Sequence, residues 1–335
     1  MNPWLDRKEF ENARRRVAPV LHRTPVLSFR TLGDRIGAPV WLKCENLQKT
    51  GSFKVRGALN SIACLSGHER ARGVVTISAG NHAQAVAWAA RRTGTRAVVV
   101  MPEGASRTKV TATIGYGAEV VLHGTAADAF REAGRRAERD GLTFLHPFDS
   151  AAVIAGHGST GLEIEEDLPG DKTIVVPVGG GGQIAGIAGA VAGAGAQVTG
   201  PAGRASTARI FGVEPEGAPC MRRSLDQGRA ARLDATDTIA DGLAPPMAGK
   251  LNYQYVAEFV EDVTLVADAE ILSAMRLLLT RAKLVVEPSG AAAVAALMYG
   301  RVPVEPGRTI VALVTGGNVD DDLLVRALHE GAPWP

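Results

Sequence analysis

Three cysteines among 335 residues, Cys44, Cys64 and Cys220, are too few and too widely spaced for a disulfide framework or a zinc site. Reduced thiols in a cytoplasmic setting are the expectation. Charge of one sign is missing as well. The 37 basic and 35 acidic residues are spread along the chain and leave a net charge of +2, so no field gathers nucleic acid or an anionic membrane. The segment Met1 to Phe10 is polar and lacks the apolar run of a secretory signal. There is no Walker A motif, no paired-cysteine metal spacing and no G-x-S-x-G turn. Little chain follows Asn318, so no appended regulatory domain is expected. These absences leave small-molecule chemistry.

One long uncharged stretch, Thr173 to Gly203, has the length of a membrane span. Pro177, Gly179 to Gly182 and Gln183 interrupt it where a span needs an unbroken helix, so a strand, a glycine turn and a buried Ala/Gly-rich helix are expected instead. With 46% hydrophobic and 21% charged residues, the composition is globular, and the length suits about two domains at roughly 150 residues each.

Apolar, β-branched runs recur at Val74 to Ile77, Ala97 to Met101, Glu119 to Leu122, Thr173 to Val178, Ile210 to Val213 and Thr309 to Val314. Amphipathic or Ala-rich stretches lie between them, at His82 to Arg92, Ala126 to Arg139, Asp268 to Arg281 and Gly290 to Met298. The alternation predicts an α/β fold with parallel sheets and crossover helices. No repeat and no low-complexity linker divides the chain, so the domains are expected to interleave. Gly193 to Ala208, rich in Gly, Ala, Ser and Thr, reads as a mobile surface loop or a local insertion.

Four constellations carry chemistry. Lys54 follows a Gly51-Ser52-Phe53 turn near a predicted helix start, where the dipole lowers the cost of a neutral amine. Ser78-Ala79-Gly80-Asn81-His82 joins a strand to a helix, and its N–H groups suit a carboxylate, although Ser78 or Asn81 is equally a candidate N-cap. Gly179-Gly180-Gly181-Gly182 sits at another strand-to-helix junction, where four glycines make a nest of N–H groups for a phosphate. Thr315-Gly316-Gly317-Asn318 follows a strand and offers a hydroxyl at its carboxyl end. A fifth run, Gly156 to Gly161, has the spacing of a dinucleotide fingerprint but no convincing strand before it.

In this order and at these separations, the motifs resemble those of the fold-type II (tryptophan-synthase-like) pyridoxal 5'-phosphate (PLP) enzymes. Within that group the chain is similar to the threonine/serine dehydratases and serine racemases, from about Thr24 to Asp321. Glu214-Pro215, Ala240-Asp241-Gly242 and Glu287-Pro288-Ser289-Gly290 are further landmarks. The resemblance implies a large PLP-binding domain from 1–68 and 148–335, and a small domain, 69–147, inserted between them. It implies that Lys54 is the Schiff-base lysine, with Phe53 beside the ring, Asn81 at the 3'-hydroxyl, Gly179 to Gly182 on the phosphate and Thr315 facing the pyridine nitrogen. The substrate would lie against Ser78, Ala79, Gly80, Asn81, His82 and Gly242.

The implied activity is β-elimination from L-threonine or L-serine, giving a 2-oxo acid and ammonia. Serine racemisation is the alternative, as is a dehydratase for 3-hydroxyaspartate, a phenylserine or a hydroxyectoine-derived compound. Racemases of the group carry a serine where Ala79 stands, which favours the dehydratase. The family's divalent-metal site uses a glutamate, a backbone carbonyl and an aspartate. Glu214 and Ala218 match, but Cys220 replaces the aspartate and leaves the metal open, because hard cations prefer oxygen. His157 stands in place of a usual glutamine, and Pro245 falls near the substrate side. A homodimer or higher homo-oligomer is expected, with no nucleic-acid or membrane partner.

Overall fold

Ten strands form in two sheets in the computed structural model, which describes residues 4–192 and 208–333. The segment 193–207, most of the run read above as a loop or insertion, lies outside the described residues. The strands are β1 (Val26–Ser28), β2 (Val40–Cys44), β3 (Val74–Ile77), β4 (Ala97–Met101), β5 (Glu119–Leu122), β6 (Thr143–Phe144), β7 (Lys172–Pro177), β8 (Ala208–Pro215), β9 (Asp262–Val266) and β10 (Thr309–Val314). One sheet has the order β1-β2-β10-β7-β8-β9, parallel except for the antiparallel β1–β2 pair. The other, β5-β4-β3-β6, is wholly parallel.

All six apolar runs lie in strands, and the four anticipated helices are present, the third continued by a π-turn over Leu278–Ala282. The strands without such a run are short or mixed. β1 has three residues, β6 two, and β2 carries Trp41 and Lys43 among its apolar positions. Helix and sheet faces bury the core on both sides of each parallel sheet, which is why the central strands read as continuous hydrophobic runs.

The fingerprint-like Gly156 to Gly161 run lies inside the helix Ala151–Asp167, so it binds no nucleotide there. Its glycines serve close packing. A Cβ on Gly156 would come within 2.5 Å of Arg56 O, and one on Gly158 would strike Phe10 and lie 2.9 Å from Gly186 O. The helix thereby nests against Lys54–Ala63 on one side and Gly182–Ala192 on the other.

That close approach is held by buried charge. Arg56 donates Nε to Glu45 Oε2 at 2.7 Å and Nη1 to Glu163 Oε1 at 2.7 Å, with Nη2 bridging both carboxylates. Lys43 Nζ pairs with Glu163 Oε2 at 2.7 Å, and Thr24 Oγ1 donates to Glu45 Oε1 at 2.6 Å. The four charges sum to zero and all four side chains are buried. The two carboxylates hold the Arg56 guanidinium above its ordinary pKa against the opposing effect of burial. Arg56 lies about 200° around its helix from Lys54, so the network grips one face while the other is free for chemistry. Replacing Arg56 by methionine leaves two buried carboxylates short of a cation. Chemical unfolding is expected to show a loss of about 3–5 kcal/mol, and Arg56→Lys only a partial rescue, since an ammonium lacks the bidentate fork.

Candidate active site

Parallel neighbours place their carboxyl ends side by side, and β10 pairs with both β2 and β7. The chain leaving β10 supplies Thr315, that leaving β7 supplies Gly179 to Gly182, and that leaving β2 leads through Thr50–Gly51 to Lys54. From the second sheet, β3 delivers Ser78 to His82. The four constellations therefore meet in one cleft of about 1180 Å³, at the strand ends where α/β proteins bind ligands.

Lys54 is the first residue of the helix Lys54–Ala63, with Phe53 as N-cap, and its Nζ lies 5.0 Å from the Phe53 ring centre. Among the described residues it makes no ion pair. Burial pushes the amine down to about 8, opposed only by the negative field of Glu287. Three histidines surround it, and burial holds His82, His157 and His146 below the ordinary imidazole value, with the Lys54 charge adding to the effect. His157 packs edge-on against Phe53 at 4.8 Å, and its Nδ1 has no partner. The amine stands half-buried in the cleft wall, beside imidazoles whose charged form burial disfavours.

The glycine run is a cradle. No N–H from Gly179 to Gly182 finds an acceptor among the described residues. Protein crowds the outer side. A Cβ on Gly179 would lie 2.9 Å from Gly242 O, one on Gly180 would enter the Phe148 ring, and one on Gly182 would lie 2.9 Å from Phe148 O. Gly181 has φ +91°, a left-handed conformation that favours glycine. Asn252 Nδ2 and Gly249 N–H both donate to Gly180 O, at 2.7 and 3.1 Å. In that trans peptide the Gly181 N–H points the opposite way, on the cleft side. Free N–H groups at the start of the helix Gly182–Ala192 fit the phosphate of PLP.

The second cradle is narrower than its sequence suggested. Ser78 N–H is taken by Val100 O and Gly80 N–H by Ser78 Oγ, which leaves Ala79, Asn81 and His82 with free N–H groups among the described residues. A Cβ on Gly80 would meet nothing within 4 Å. Neither Ser78 nor Asn81 is the N-cap of the helix Asn81–Thr93; Gly80 is, and makes no side-chain cap. Asn81 instead donates Nδ2 to Glu287 Oε1 at 2.7 Å and accepts at Oδ1 from Asn318 Nδ2 at 2.8 Å.

Thr315 is buried and donates Oγ1 to Ser289 O at 3.3 Å, while Ser289 Oγ has no partner. Gly242 lines the same wall, where a Cβ would lie 2.7 Å from Ser289 Oγ. Ala79 lines the cleft with a methyl group only. Three cleft residues escaped the sequence reading. Glu287 was visible only as the residue before Pro288, Asn318 was quoted without a role, and Lys109, ion-paired to Asp241 in the cleft wall, sits in a helix with no distinguishing signal.

The expected metal ligands are engaged in hydrogen bonds within the protein. Glu214 accepts from Met221 N–H at 2.7 Å and Arg222 N–H at 2.8 Å, so both oxygens serve the start of the helix Cys220–Gln227. Ala218 O accepts from Cys220 N–H, and the Cys220 thiol, pushed up to about 11 mainly by burial, donates to Ala231 O. Those N–H groups favour the carboxylate, but burial outweighs them and pushes Glu214 up to about 8. No group of three His, Cys, Asp or Glu side chains suited to a metal occurs among the described residues.

The profile of the family described as pyridoxal-phosphate dependent enzyme matches residues 17–316. An L-threonine ammonia-lyase of Thermotoga maritima is 42% identical over 325 residues, covering 97% of this chain and 78% of the relative. A catabolic L-threonine dehydratase of Escherichia coli is 40% identical over 310 residues, 92% of this chain and 91% of the relative. The solved structure of maize serine racemase superposes with a TM-score of 0.87 at 36% identity, covering 97% of both chains.

Two outcomes follow from this geometry. The cofactor-free protein is expected to take up PLP faster as pH rises, with a midpoint at about 8 set by the depressed Lys54 amine, since only the neutral amine attacks a carbonyl. Stopped-flow absorbance measures this, and a midpoint at the ordinary lysine value would contradict it. Dialysis against a chelator is expected to leave turnover and melting temperature unchanged; a loss reversed by added magnesium would show a metal site after all.

Proposed function

The chain belongs to the pyridoxal-phosphate-dependent enzyme family, and from that premise we propose that it is a carbon–oxygen lyase, a dehydratase converting a β-hydroxy amino acid, L-threonine and/or L-serine, to a 2-oxo acid and ammonia. The observation that carries the reading is a half-buried amine in the cleft wall without an ion-pair partner among the described residues, Lys54, between two separate N–H cradles. The names of the relatives in Thermotoga maritima and Escherichia coli support it.

Bound in the cleft, PLP supplies a ring that draws electrons from the α-carbon of an amino acid. Gly179 to Gly182 hold its phosphate, Phe53 packs beside it and Asn81 meets its ring hydroxyl. Ala79, Asn81 and His82 N–H groups hold the substrate carboxylate and so orient the Cα–H bond. Lys54 Nζ takes the Cα proton: the burial that lowers its pKa to about 8 raises the fraction present as the neutral amine, the only form that can accept a proton. The β-hydroxyl then leaves as water, the proton it needs balancing the one Lys54 took from Cα, and hydrolysis of the resulting enamine product releases ammonia. Thr315 puts a hydroxyl, not a carboxylate, at the place of the ring nitrogen, so no fixed negative charge holds a proton there. That suits elimination over transamination.

A racemase is the second reading, favoured by the likeness to maize serine racemase. It needs a proton donor on the face away from Lys54, and Ala79 has none. Dehydration of 3-hydroxyaspartate, a phenylserine or a hydroxyectoine-derived compound is a further outcome of the same test. The division into a small domain at 69–147 and a large domain from the rest is supported by the four-stranded sheet, whose strands all fall between Val74 and Phe144. A cytoplasmic enzyme accords with the unpaired cysteines. No helix among the described residues is long and apolar enough to cross a membrane. A homodimer or higher homo-oligomer is supported by exposed Leu47 and Val285, on adjoining segments joined by the Asn46 Nδ2 to Val285 O hydrogen bond.

A panel of β-hydroxy amino acids, assayed for 2-oxo acid release, tests the proposal. L-Threonine or L-serine is expected to be turned over by the wild type and by no folded Lys54→Ala protein. With L-serine, pyruvate is expected to exceed D-serine by at least about tenfold, the discrimination that one missing proton-transfer group imposes. Equal rates would promote the racemase reading.

A further inference from the structure

We propose that Glu287 is a positioning residue of the active site, holding the Asn81 amide in the orientation that presents an N–H to the ring-hydroxyl edge of PLP. The proposal rests on the PLP reading of the cleft, which the visible absorbance of the wild-type holoprotein tests separately.

The orientation follows from the acceptors. Thr50 O can only accept, and it takes Asn318 Nδ2 at 2.7 Å. That fixes the Asn318 amide, whose Nδ2 also donates to Asn81 Oδ1 at 2.8 Å. Asn81 Nδ2 then gives one hydrogen to Glu287 Oε1 at 2.7 Å, and its second hydrogen remains. A flipped Asn81 would set two N–H donors against each other at Asn318 and lose its acceptor at Glu287. The chain of contacts ties together the approach to Lys54, the loop after β10 and the helices Asn81–Thr93 and Pro288–Met298.

The surrounding backbone is shaped for it. Thr50 and Gly51 have φ of 60° and 72°, and a Cβ on Gly51 would lie 2.5 Å from Asn318 Oδ1. A Cβ on Gly316 would overlap Glu287 Oε1 and lie 3.2 Å from Asn81 Nδ2. Glu287 occupies the N-cap position of Pro288–Met298, yet its side chain makes no cap hydrogen bond. It is buried and without an ion pair among the described residues, a costly placement for a carboxyl that only packed. Burial, and next the charge of Asp241, push it up to about 8, while Asn81, Lys109 and Lys54 act in the opposite direction.

The test is a double-mutant cycle on holoprotein, reading PLP affinity by equilibrium dialysis and the position of its visible absorbance band. Glu287→Ala is expected to weaken PLP about tenfold and shift the band, the effect of losing one buried hydrogen bond. Glu287→Gln keeps an acceptor for Asn81 and is expected to stay within about threefold of wild type in affinity, since the same bond is retained. In an Asn81→Ala background, Glu287→Ala is expected to add less than about twofold, because the two act as one unit. Should Glu287→Ala not fold, Glu287→Leu, which fills the space without an acceptor, replaces it in the cycle. An unchanged affinity and band on removing the acceptor, or a loss that adds in full to that of Asn81→Ala, overturns the proposal.

Discussion

Two cations and two carboxylates, Lys43, Arg56, Glu45 and Glu163, share a dry interface beneath the helix that begins at Lys54. Removing any one leaves an uncompensated charge away from water, so the four segments that carry them have little freedom to move apart. Two residues before Arg56, on the opposite face of the helix, the Lys54 amine has no such partner. The contrast is the basis of the site. One basic residue is fixed by strong ionic bonds, and that rigidity lets the other stand half-buried in the cleft wall without an ion-pair partner.

Unsatisfied N–H groups do the rest of the binding. A helix that starts just after a parallel strand exposes its first donors at the sheet's carboxyl edge. Gly179 to Gly182, and Ala79, Asn81 and His82, leave them free among the described residues. At Cys220–Gln227 the same kind of helix start is already occupied by Glu214, whose two oxygens accept from the Met221 and Arg222 N–H groups. The difference between a ligand site and a structural cap is whether a side chain of the chain itself has arrived first.

Polar contacts also connect the site to its frame. Asn81, Asn318 and Glu287 come from distant stretches of chain and complete one hydrogen-bonded row. The glycines around them, Gly51 and Gly316, are places where a side chain would displace a row member. Ala79, by its methyl group, and Thr315, by its uncharged hydroxyl, narrow the reaction class without altering that frame.

Much of this was legible in the linear sequence. Parallel strands buried on both faces must be continuous apolar runs, and glycine nests need four particular residues in a row, so β3, β4, β5, β7, β8, β10, Lys54, Gly179 to Gly182 and Thr315 all carry local signals. Short strands such as β1 and β6 carry none. Neither do residues whose role depends on a partner far along the chain. Gly156 to Gly161 has nucleotide-loop spacing yet lies within a helix, because spacing does not encode whether the preceding residues pair as a strand. Ser78 and Gly80 looked like open donors, but Val100 and Ser78 Oγ claim their N–H groups. The sequence by itself determined which elements form and which chemical groups stand at strand ends, since both depend on neighbours within a few residues. Only the tertiary structure decided which donors stay free, that Glu287 meets Asn81 across 206 positions, and that Lys54 stands in the cleft wall without an ion pair, because burial and pairing are properties of what the folded chain brings alongside.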